Sequence, residues 1–144
     1  MRVESFRPLF VRTMPPELED GVMYVSMEFR MAQHRCACGC GMIVVTPFGP
    51  AQWKLTYDGS VSLHPSIGNW NFACRSHYVV RRGQVKWARS FSKEEIAVVK
   101  RHDRESLEEF YGVGGELAAS EGAGEPKRKG WLGRLWRVLV GGDR

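Results

Sequence analysis

Residues 34–42 read HRCACGCGM and place Cys36, Cys38 and Cys40 at alternate positions, with His34 two residues ahead. The chain has only four cysteines, and the last, Cys74, stands in CRSHY (74–78). Three thiols within five residues, interleaved with Gly39 and Gly41, make a poor packing unit and a good chelating one. Glycine permits the tight turn and close backbone approach that would aim several sulfurs at one point. Four thiolates close a tetrahedral zinc site, and drawing ligands from two separated loops staples a small fold. Such a staple implies a β-rich domain of short strands, with the cysteine turn between two of them and Cys74 just ahead of a later hairpin.

The flanking sequence agrees. GVMYVSMEF (21–29) alternates as a strand does, and MIVVT (42–46) is short and β-branched. WKLTYDGSVSLH (53–64) contains two alternating runs around Asp58-Gly59, a two-residue hairpin signal, and HYVVRRGQVKWA (77–88) reads as a second hairpin turning near Gly83. The period then changes. Ser92 followed by Glu95 forms a capping box, and Ile96, Val99, Leu107 and Phe110 recur at roughly helical spacing, so a helix is expected over 93–111. The expected class is α+β: a metal-binding, zinc-stabilised β-rich domain over 1–111, made of hairpins with a C-terminal helix. Residues 112–130 are Gly-rich, small and charged, and read as a disordered linker. Residues 131–140, WLGRLWRVLV, read as a short amphipathic basic helix that would dock on a protein partner or a membrane surface.

Charge narrows the function. The net charge is +5, and residues 126–144 hold six lysines and arginines against one aspartate, so the surplus lies wholly in the tail. The balanced remainder makes a nucleic-acid-binding domain the least favoured class. There is no apolar run of spanning length, and the first twenty residues lack the apolar stretch of a signal peptide, which gives the expectation of a cytoplasmic chain. In that compartment clustered thiols favour a metal over disulfides.

Six residues are candidate ligands. Cys36, Cys38, Cys40 and Cys74 form the preferred set, with His77 and His34 as alternatives. Four sulfurs would make the zinc structural; three or fewer would leave a position for an activated water. A second group, Ser62, His64, Ser66, Asn69, Ser76 and His77, is packed into residues 62–77. A serine nucleophile needs a base within about 3 Å. Adjacent strand residues point to opposite faces, so Ser76 and His77 are poor partners in an extended segment, and Ser66 pairs more easily with His77 or His34. Asn69 is a candidate donor to an oxyanion. Each of these polar residues could equally serve turn chemistry.

Together GVMYVSMEF, HRCACGCG, the pattern from Trp53 to Trp70 ending in PSIGNW, and CRSHYVVRRGQVKW resemble a small bacterial domain-of-unknown-function family. It is encoded beside bacterial ubiquitin-like proteins and their activating and conjugating enzymes. The resemblance covers about residues 18–90. It implies a metal-binding domain and a peptidase role in that pathway, with Cys36, Cys38, Cys40, Cys74 and His77 as core positions and Pro65, Ser66, Asn69 and Ser76 around them. The expected function is therefore a zinc-containing peptidase or deconjugating enzyme acting on the C-terminus of a ubiquitin-like protein, with Ser66, Ser76 and His77 as catalytic candidates. The alternatives are a non-catalytic zinc module binding that protein or its enzymes, and a nucleic-acid-binding zinc domain.

Overall fold

Short β-branched and aromatic runs separated by glycine and proline build eight strands and one helix in a computed structural model that describes residues 1–112. The strands are β1 (Arg7–Phe10), β2 (Val22–Ser26), β3 (Met31–Arg35), β4 (Ile43–Pro47), β5 (Lys54–Tyr57), β6 (Val61–Gly68), β7 (His77–Arg81) and β8 (Gln84–Trp87), and the helix is α1 (Lys93–Tyr111). They form two four-stranded sheets, β1-β2-β3-β4 and β5-β6-β7-β8. Every pairing is antiparallel except β1 with β2, which is parallel. The class is α+β, as expected. The expected linker beyond Gly112 and the expected helix over 131–140 lie outside the described residues.

The chain divides into two units, the first running from Met1 to Ile96 and the second beginning at Ala97. In the first, the N-terminal segment connects the sheets. Val3 N–H donates to the Ala37 carbonyl at 2.8 Å, while Val85 N–H donates to Glu4 and Phe6 N–H to Gly83 at 2.9 and 2.7 Å. At the opposite edges a parallel bridge joins Phe48 to Trp53. The core between the sheets holds Met23, Val25, Ala32, Leu63, Ile67 and Tyr78, each at most 2% exposed.

Both expected hairpins are present. At the second, Arg82 and Gly83 both have positive φ, 48° and 77°, the left-handed pair that matches strand twist in a two-residue turn. At the first, the loop spans three residues rather than two, because Asp58 accepts hydrogen bonds from the Ser60 amide and hydroxyl and holds Tyr57 opposite Val61. Strand β2 departs from simple alternation: all five of its residues are buried. Met23 and Val25 face the main core, while Val22 and Tyr24 pack with Leu18 in a second cluster supported by Val11 and Met14. Strands β1 and β3 lacked a sequence signal. The inward residues of β3 are Ala32 and His34, too small or too polar to mark an apolar face.

His34 is fully buried and packs edge-on against Phe6, with centroids 4.6 Å apart. Its Nε2 shares a 2.9 Å hydrogen bond with the Tyr78 hydroxyl. Burial pushes the imidazole down to about 3, so it is neutral at physiological pH. Tyr78→Phe would strand that nitrogen in the core. The expected cost is about 1–3 kcal/mol, read as a lower urea midpoint with an unchanged m-value.

Candidate functional site

The β3–β4 loop carries Cys36, Cys38 and Cys40. It is closed by hydrogen bonds from Gly39 N–H to the Cys36 carbonyl (3.0 Å) and from Cys36 N–H to the Met42 carbonyl (2.8 Å). Gly39 and Gly41 sit at φ 85° and 82°, as the turn requires. The β6–β7 loop carries Cys74. Asn69 N–H donates to the Ser76 carbonyl at 2.9 Å, and Arg75 N–H donates to the Phe72 carbonyl, which presents Cys74 toward the other loop.

The four sulfurs converge, all within 4.8 Å of one another. Individual Sγ–Sγ separations are 3.4 Å for Cys36–Cys38, 3.7 Å for Cys40–Cys74 and 4.0 Å for Cys36–Cys74. A cation bonded to four sulfurs at ~2.3 Å spaces them roughly 3.8 Å apart, so the donor set fits a tetrahedral thiophilic ion. Burial pushes the Cys36 and Cys38 thiols up. Burial acts the same way on Cys74, yet hydrogen bonds from Ser76 and the neighbouring thiols hold that group down to about 7. Deprotonating several thiols in one small volume is costly unless a cation shares it.

Ser76 belongs to this cluster. Its Oγ accepts a 2.8 Å hydrogen bond from Asn69 Nδ2, which leaves the hydroxyl proton to reach Cys36 Sγ at 3.1 Å; Cys74 Sγ is 3.5 Å away. Asn69 Nδ2 also lies 3.6 Å from Cys36 Sγ. Both side chains therefore support the sulfurs. The two histidines considered as alternative ligands are placed elsewhere, His34 against Tyr78 and His77 on the other face of its strand.

That other face holds a second constellation. His77 Nε2 lies 2.9 Å from Ser66 Oγ, and His77 Nδ1 lies 2.9 Å from the Arg89 carbonyl oxygen. A carbonyl only accepts, so Nδ1 carries the proton, Nε2 presents its lone pair, and the Ser66 hydroxyl donates to it. Ser66 is partly exposed, while His77 is 7% exposed. The sheet aims Ser66 through an irregularity. On β6, Leu63 and Ile67 are four residues apart, yet they oppose Val80 and Tyr78, two apart on β7. That leaves β6 two residues in surplus, so the stretch His64–Ser66 bows away from β7, and Pro65 has no N–H to contribute there. The imidazole is walled by Trp70 (centroids 4.9 Å) and Phe91 (4.6 Å), whose rings stack on each other at 5.2 Å. Trp70 reaches this place because Gly68 has no side chain; a Cβ there would collide with the indole. The contributions of Arg89 and Phe91 were not read from the sequence: Arg89 supplies only a backbone acceptor, which leaves no residue-type signature, and Phe91 lies outside the 62–77 stretch that held the candidates.

Serine, imidazole and an oriented proton acceptor form a hydrogen-bonded relay suited to nucleophilic acyl transfer. A family model described as bacterial ubiquitination-like system serine protease (BubE) matches residues 10–88. No curated protein and no solved structure matches the chain.

The sulfur geometry yields a test that separates the two constellations. Titrating the reduced, metal-free chain with Co(II) is expected to saturate at a single equivalent, with the near-ultraviolet absorption of thiolate ligation. Ser76→Ala and Asn69→Ala should weaken binding about 10–100-fold, as loss of ligand-supporting hydrogen bonds does. Ser66→Ala should leave it unchanged.

Proposed function

The chain belongs to the BubE family of bacterial ubiquitination-like system serine proteases, and from that premise we propose that Ser66 is its nucleophile and His77 its general base. In this reading the substrate is the C-terminal tail of a ubiquitin-like protein, cut after its terminal glycine from a precursor or a conjugate. The single observation that carries the assignment is the 2.9 Å contact from Ser66 Oγ to an imidazole whose other nitrogen is already committed to a carbonyl. Among the three catalytic candidates, Ser76 is engaged by Asn69 and Cys36 and is not within reach of the imidazole's free lone pair.

The chemistry follows from these positions. Ser66 Oγ attacks the scissile carbonyl as its proton passes to His77 Nε2. The tetrahedral adduct collapses when that proton moves on to the leaving amine, leaving an ester on Ser66. A water enters, gives a proton to the same nitrogen and adds to the ester, and Ser66 recovers its proton as the acid departs. Nδ1–H stays bonded to the Arg89 carbonyl throughout, so the ring does not turn away between steps. Trp70 and Phe91 exclude water from the imidazole faces. Beyond the Lys54–His64 pair, β6 has no ladder partner on its β5 side among the described strands. An extended tail could add there as a short strand and bring its carbonyl to Ser66.

The cysteine cluster suits zinc, which as a closed tetrathiolate would supply a structural clamp and no reactive position. Cys36, Cys38, Cys40 and Cys74 would hold it, with Ser76 and Asn69 bonded behind them. Because Ser76 immediately precedes His77, the clamp would fix the strand end from which the base projects. The partners implied are the ubiquitin-like protein and its activating and conjugating enzymes.

Incubation with a ubiquitin-like precursor should release a product whose intact mass ends at the terminal glycine. Ser66→Ala and His77→Ala should each slow release at least about a thousandfold while retaining fold and metal stoichiometry. A fluorophosphonate should label Ser66 in the wild-type chain. Full activity in folded Ser66→Ala would sink the assignment.

A further inference from the structure

The relay ends on a backbone carbonyl, and a carbonyl is only as well placed as the segment that carries it. Arg89 lies two residues after the end of β8 and one residue beyond the family match, in the five-residue connection from 88 to 92 that leads into the first turn of α1. Its carbonyl points inward to His77, while its guanidinium points outward. There Nη2 donates to Glu95 Oε1 at 2.6 Å and Nη1 to Glu95 Oε2 at 3.0 Å, a two-pronged pair. The same Glu95 Oε2 accepts the Ser92 N–H at 2.8 Å. The guanidinium also lies 4.7 Å over the Phe91 ring, which itself touches His77. One carboxylate thus gathers residue 89 and residue 92, and the aromatic wall stands between them. Arg89 and the Ser92 amide hold the Glu95 carboxyl down to about 2, so it remains ionised at any working pH.

We infer that Glu95 is a positioning residue for the relay, fixing the Arg89 carbonyl against His77 Nδ1 through the Arg89 side chain. It touches neither substrate nor reacting atoms. This rests on the Ser66–His77 assignment above, but its main readout does not require activity. In the sequence Glu95 looked like half of a capping box, and it is that too: Ser92 Oγ accepts the Glu95 N–H at 3.2 Å. The two roles use different atoms and can be separated. Glu95→Gln keeps an acceptor for the Ser92 amide and loses the ionic pair. Ser92→Ala loses the hydroxyl cap and keeps the pair.

The experiment is proton and nitrogen NMR of the His77 ring in the full chain with its metal, assigned through His77→Gln, together with steady-state cleavage of the ubiquitin-like precursor. In Glu95→Gln the Nδ1 proton is expected to move upfield and exchange faster with water. The kcat should fall about two- to fivefold, the scale of a partly exposed ion pair, with KM unchanged. Raising the ionic strength should bring the wild type toward the Glu95→Gln values. Ser92→Ala should lower the melting temperature and leave both the ring resonance and kcat in place. An unchanged Nδ1 resonance in folded Glu95→Gln, or an equal change in Ser92→Ala, would overturn the inference and reduce Glu95 to a helix cap. A shifted resonance combined with full activity in Ser66→Ala would instead leave the positioning role standing and remove the relay's assignment as the protease centre.

Discussion

Sulfur convergence is the constraint on which this unit depends. One loop from each sheet contributes: Cys36, Cys38 and Cys40 from β3–β4, and Cys74 from β6–β7. The buried residues of the main cluster are few and mostly medium-sized, and several inward positions are as small as Ala32 or as polar as His34 and Thr46. A tetrahedral ion held by the four sulfurs would fix how one sheet end meets the other, because its distances tolerate little variation. The Val3–Ala37 hydrogen bond and the Cys36–Ser76 contact lie beside the cluster and close that end with backbone and hydroxyl groups.

The start of β7 then separates two kinds of chemistry by the pleat alone. Ser76 and Tyr78 face inward, one to the sulfurs and the other to His34. His77 faces outward, to Ser66, Trp70 and Phe91. Neighbouring residues in an extended chain point to opposite sides, so a hydroxyl bonded to the sulfurs and an imidazole bonded to Ser66 can be adjacent in sequence without competing. The cost of mixing them would be real, since an imidazole close to four thiolates is a ligand before it is a base. The bow at His64–Ser66 brings Ser66 to the outer side and completes the separation.

Much of this could be read from the chain. The hairpins, the capping box and the sulfur cluster follow from local rules of spacing, and strand alternation argued against pairing Ser76 with His77, leaving His77 or His34 as partner for Ser66. Strand β3 was hidden because its inward face is Ala32 and His34, and β1 because it buries little. The parallel pairing of β1 with β2 depends on a long connection whose apolar residues, Val11, Met14 and Leu18, cover the second face of β2. No local pattern encodes that. His77's third partner was invisible for a different reason: any residue supplies a carbonyl, so only the path of the backbone past β8 identifies Arg89.

A carbonyl in that position has consequences that a carboxylate would not. Both accept Nδ1–H and fix the tautomer, but only a carboxylate would neutralise the imidazolium formed if Ser66 gives up its proton as proposed. With a neutral acceptor, that charge must be met by orientation and by the dipole of one peptide unit. The rings of Trp70 and Phe91 lie beside the imidazole, with centroids 4.9 and 4.6 Å away, and keep its surroundings largely apolar. A dipole's influence depends steeply on its angle, so a relay built this way relies on a rigid backbone more than one built on a carboxylate. In the proposed relay that rigidity is what the tie from Arg89 to Glu95 would supply.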